Sequence, residues 1–64
     1  MTKIRRGGYV FITWVGDQPP RHVHVYRDGR FVVKWDLDND RAMRGAPPPG
    51  LPELTCRLEG EGLL

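Results

Sequence analysis

The sequence predicts an α+β domain: a small antiparallel meander of three to four strands, with one face closed by a short C-terminal helix. Residues 9–15 and 21–37 are rich in aromatic and β-branched side chains and are interrupted by Pro19-Pro20 and Asp28-Gly29. That pattern marks strands joined by tight connections. Leu51, Leu54 and Leu58 recur at helical spacing around Pro52. Proline suits a first helical turn, where its missing N–H has no intrahelical partner to lose. At 64 residues the chain is one small domain, and domains of this size bury only about 60% of the surface their unfolded chains expose.

The elements follow in order. Residues 1–8 carry Lys3, Arg5 and Arg6 and end in Gly7-Gly8, which predicts a flexible basic lead-in. The sheet is expected over residues 9–44. In its first strand Val10, Ile12 and Trp14 are wholly apolar and are placed against the helix, leaving Tyr9, Phe11 and Thr13 on the open face. Residues 16–20 form a loop, since consecutive prolines remove two ladder donors. Strands follow at residues 21–26 and 31–37. Asp38-Asn39-Asp40 turns the chain, and residues 41–44 add a short edge strand. The segment 45–50, with Pro47-Pro48-Pro49, is an extended connector, and the helix occupies residues 51–61, ended by Gly60 and Gly62.

The turn at Asp28-Gly29 decides where two histidines point. With a two-residue loop and unbroken pairing, His22, His24 and Tyr26 would share a face with Phe31, Val33 and Trp35. With a three-residue loop, Arg27-Asp28-Gly29, and Gly29 left-handed in a bulge, the pairing shifts by one. Val23, Val25, Phe31, Val33, Trp35 and Leu37 then form one apolar layer. His22, His24, Tyr26, Arg30, Val32 and Lys34 form the other face. A one-residue slip exchanges the faces of a strand, so the version with the unbroken apolar layer is expected.

Composition narrows the function classes. The net charge of +2 and pI near 9.1 permit an acidic partner without demanding one. Cys56 is alone, which excludes an intrachain disulfide and suits a reducing cytoplasm. The apolar run at residues 9–15 is far too short to span a membrane. No phosphate loop, nucleophile elbow or zinc-finger spacing is present, and no cofactor or resident metal is expected.

His22 and His24 are the candidate chemical residues. Two apart on a strand, their rings project to one side, about 6–7 Å apart. Such a pair can chelate a metal if further ligands exist, and Asp17, Asp36 and Cys56 are the donors on offer. It can also serve as base and acid in RNA cleavage, with Lys34 or Arg30 facing the phosphate charge. The plainer reading is that both rings pack on neighbouring aromatics and bond the 16–20 loop. Tyr9, Phe11, Tyr26, Arg30, Val32 and Lys34 form the expected interaction face. Aromatics among cations suit stacked bases. The modest charge instead favours a second copy or a small protein partner over RNA. Asp36-Leu37-Asp38-Asn39-Asp40 imitates the start of a calcium loop, but Arg41 stands where that loop needs glycine, and turn chemistry is expected instead.

The run Pro19-Pro20-Arg21-His22-Val23-His24-Val25, followed by Asp28-Gly29 and by Val33-Lys34-Trp35-Asp36-Leu37-Asp38-Asn39, resembles a small bacterial and archaeal family of unknown function. That family is marked by a Pro-Pro-His-x-His-Val strand entry, and its members often belong to toxin–antitoxin-like gene pairs. The resemblance covers residues 8–45 and implies a small interacting protein with His22 and His24 as its signature pair. Residues 46–52, with four prolines, depart from the longer basic helix that similar chains carry there.

Overall fold

The computed structural model describes residues 2–14 and 20–64. Five strands, β1 (Thr2–Arg6), β2 (Tyr9–Thr13), β3 (His22–Arg27), β4 (Arg30–Asp36) and β5 (Arg41–Gly45), are followed by one helix, α1 (Leu51–Gly60). The sheet is an antiparallel meander in the order β1-β2-β3-β4-β5. The expected architecture is present with one strand more than predicted. The helix spans most of the expected 51–61 segment, with Pro52 in its first turn.

The added strand corrects the expected basic lead-in over residues 1–8. Gly7 and Gly8 both adopt left-handed backbone, at φ 62° and 82°, and Arg6 pairs with Tyr9 across them. Two consecutive left-handed residues make the two-residue turn whose twist matches a hairpin. The segment before it therefore folds back as an edge strand. Its charges fit that place, because lysine and arginine on an open edge discourage pairing with another chain.

The β3–β4 hairpin keeps the predicted apolar layer by a different device. Asp28 and Gly29 are both left-handed, at φ 52° and 77°, and Arg27 pairs directly with Arg30. The loop thus has two residues rather than three. The register shift falls inside the strand: Tyr26 pairs with Phe31 while Val25 pairs with Val33, leaving Val32 as the extra residue. Val23, Val25, Val33, Trp35 and Leu37 are buried as expected. Phe31 is not, because it lies before the bulge and shares the Tyr26 face, 41% exposed. Val32 is half-buried and packs against the core.

The largest correction is the orientation of β2. Phe11 pairs with Val25 on one side and Ile4 on the other, and it is completely buried. Val10 and Ile12 therefore occupy the open face, and Trp14 is 50% exposed rather than under the helix. Both sides of this strand are apolar, so alternation alone cannot orient it. The pairing partners decide: Phe11 is level with Val25 of the apolar layer and with Ile4, the one apolar residue of β1.

Helix α1 covers the inner face. Leu51 and Leu58 are buried against Phe11, Val23, Val25, Val33, Trp35 and Leu37, with Leu54 half-buried beside them. Thr55 is also buried, and its hydroxyl donates to the Leu51 carbonyl at 2.9 Å. Two ion pairs tie the far end of the helical segment to the sheet side, Arg6–Glu61 at 2.8 Å and Arg21–Glu59 at 3.1 Å.

Candidate functional site

With α1 packed on the inner face, no helix of the described residues covers the outer face of the sheet. Antiparallel partners share a face, so the register defines transverse rows. One row, Lys3–Ile12–His24–Lys34–Arg44, crosses all five strands. The next, Arg5–Val10–Tyr26–Phe31, crosses four. Cations thus stand at the rims of an apolar and aromatic centre. Tyr26 and Phe31 meet edge to face with centroids 5.9 Å apart, and the Arg44 guanidinium lies 5.9 Å from the Phe31 ring centroid.

Of the six expected interaction-face residues, Tyr26 and Lys34 are brought together with the histidines. Tyr9 and Phe11 are on the inner side, where Tyr9 contacts Phe11 edge to face and Arg27 lies over its ring. Arg30 pairs with Arg27 at the hairpin end, out of the face that Phe31 occupies, and Val32 is taken up by the bulge. In their place stand Lys3, Arg5, Val10, Ile12, Phe31 and Arg44. The signal for the first four was Gly7-Gly8. Taken as a hairpin turn, it pairs residues 2–6 with β2 and fixes which side chains are level.

His22 and His24 project from the same side of β3, their rings edge to face with centroids 5.4 Å apart. Nδ1–H of His22 donates to the Pro20 carbonyl at 2.9 Å, which orients the ring and leaves Nε2 as the acceptor nitrogen of the neutral form. His24 is level with Lys34. Two imidazoles this close, beside an ammonium, can move protons on either side of a bound phosphodiester. Asp36 is level with His22, but its carboxylate belongs to the turn. Oδ1 accepts from the backbone N–H groups of Asp38 and Asn39, both at 3.0 Å, and Oδ2 from the Asn39 side chain at 2.8 Å. The Asn39 side-chain bond above all holds this carboxyl below its ordinary value of 3.8, with those two backbone donors and Arg41 adding to it against the opposing effect of burial. This is the expected turn chemistry in place of a calcium loop.

Cys56 is exposed on α1, in the layer opposite the histidines, and Asp17 lies outside the described residues. Among the described residues no group of three or more His, Cys, Asp or Glu side chains is placed to hold a metal ion. Among them, too, no helix is long and apolar enough to cross a membrane.

The two rows carry four cations, Lys3, Arg5, Lys34 and Arg44. Among the described residues, no carboxylate occupies either transverse row. Glu53, Glu59 and Glu61 are on or just after the helix, Asp36 ends β4 with Asp38 and Asp40 in the turn after it, and Asp28 is in the β3–β4 turn at the end of the second row. A shallow trough of about 300 Å³ runs along the outer face between Lys3, Arg5, Val10, Ile12, Tyr26 and Gly29. A second hollow of about 450 Å³ lies between the two hairpin turns. The two share Arg5, Val10 and Gly29 in their walls. No protein-family model, curated protein or solved structure matches the chain.

Proposed function

We propose that this chain is a nucleic-acid-binding module that holds a single strand across the outer face of its sheet. The observation that carries the reading is the pair of transverse rows, with Lys3, Arg5, Lys34 and Arg44 around Tyr26 and Phe31. Bases stack on exposed aromatic rings for about 1–3 kcal/mol each, and neighbouring cations meet the phosphates. A duplex keeps its bases stacked on each other and offers none to Tyr26 and Phe31, so the unpaired strand is the fitting ligand. The net charge of +2 understates this face, because every carboxylate of the described residues lies outside its two rows.

Fluorescence anisotropy with labelled single-stranded RNA octamers tests the reading. Lys34→Glu and Arg44→Glu are expected to weaken binding about tenfold or more each. The logarithm of affinity should fall with the logarithm of salt at a slope of about −2 to −3, as three or four phosphate contacts require. Affinity that is absent, or indifferent to salt and to both substitutions, overturns it.

A small protein partner, as in the toxin–antitoxin-like pairs of the resembling family, is the second reading. Half-buried Val10, Ile12 and Tyr26 beside exposed Phe31 favour it. It requires an association that survives high salt and is lost in Phe31→Glu.

A further inference from the structure

We propose that the trough beside Tyr26 is a base-reading subsite and that it selects guanine. The inference rests on the single-strand reading above and adds which base is held, and where. Val10, Ile12 and Tyr26 line the trough along the outer face, with Lys3 and Arg5 at its rim. A base can lie against the first three while its phosphate meets the two cations. Where the trough continues between the hairpin turns, its wall adds Asp28. The end of the trough is open: a Cβ added at Gly8 or Gly29 would meet nothing within 4 Å.

Asp28 is the carboxylate in the combined wall, with Lys3 and Arg5 as its outer-face cations. An ionised carboxylate accepts hydrogen bonds and donates none. The pairing edge of guanine presents two adjacent donors, N1–H and the N2 amino group, which match the two carboxylate oxygens. Adenine and cytosine each set one amino donor beside an acceptor nitrogen. Uracil flanks its single N3–H with two carbonyl oxygens, both repelled by the carboxylate. A lone acid in a cationic trough therefore weakens phosphate attraction slightly everywhere and rewards one base.

Asp28→Asn is the discriminating variant. Asparagine before glycine suits a two-residue turn with both residues left-handed, so the hairpin is retained while an amide, with one acceptor oxygen, replaces the two. Binding is measured with U-rich RNA octamers carrying one central G, A or C, and by NMR titration with GMP, AMP, CMP and UMP. The octamer with guanine should bind the unaltered protein about tenfold tighter than the others, as a bidentate pair to a base edge provides. In Asp28→Asn it should fall to their level while their affinities stay the same or rise. Equal affinities in the unaltered protein, or a guanine preference that survives the substitution, overturn the inference. Strand binding without base preference leaves the platform reading standing, whereas no strand binding at all removes both.

Discussion

Phe11 is the residue on which the sheet's orientation turns. It is wholly buried in the row Ile4–Phe11–Val25–Val33, under the helix leucines. Truncating a buried phenylalanine costs about 3–5 kcal/mol through lost transfer energy and the cavity left behind. A chain of 64 residues has roughly 3–10 kcal/mol of stability in total. Phe11→Ala should therefore remove a large share of the protein's stability, while Val25→Ala should lower it by about 1–3 kcal/mol, both read from urea unfolding. An unchanged midpoint for Phe11→Ala would mean that the ring is not in the core. Asp36 carries the pH dependence. Its carboxyl is held below 3.8, chiefly by Asn39, so its contribution is fully present above that value and is lost as pH falls below it. The acid limb of the urea midpoint should therefore be shallower in Asp36→Ala, which should also be less stable at neutral pH. The valines, Trp35, Leu37 and the helix leucines were legible because their alternation or spacing has one apolar side. Phe11 was not, because every side chain of β2 is apolar or nearly so and only the pairing partners decide.

The β3–β4 hairpin was legible as a hairpin, and the place of its extra residue was not. Two solutions satisfy the apolar layer of β3 and β4: an extra residue in the turn or one within the strand. The chain adopts the second, with Val32 opposite no partner of its own. The choice moved Phe31 and Arg30 across the sheet while leaving Val33 and Trp35 in place, which explains why part of the expected face dissolved and part survived. Deleting Val32 tests this. With the extra residue gone the two-residue turn runs into continuous pairing, and Val33 and Trp35 keep their places opposite Val25 and Val23. The deletion should therefore retain dispersed NMR resonances, whereas loss of Gly29 should abolish them; an extra residue in the turn would reverse the two outcomes. β1 escaped notice for a related reason. An edge strand shows one side to solvent and its open edge to water, so only Ile4 of its five residues contributes to the apolar signal. Its charges resemble those of a tail until Gly7-Gly8 is taken as a turn.

At the scale of the molecule, the α+β class, the strand order and the layer of the helix follow from local signals, because each connection is short and joins neighbours. The composition of the open face does not. It depends on which residues fall level across strands far apart in sequence, as Lys3 and Arg44 do at opposite ends of one row. Charge counted along the chain averages this away. Lys3, Arg5, Lys34 and Arg44 on the outer face, with Glu53, Glu59 and Glu61 in the layer behind, also give the folded chain an uneven distribution of charge through its thickness. A polyanion at a distance exerts little pull on a body of such small net charge, but it exerts a torque. On the single-strand reading proposed above, the molecule would turn its sheet toward the strand before contact, so that orientation is set during approach. Dissolved salt, by screening that torque, slows the encounter itself as well as loosening what is formed.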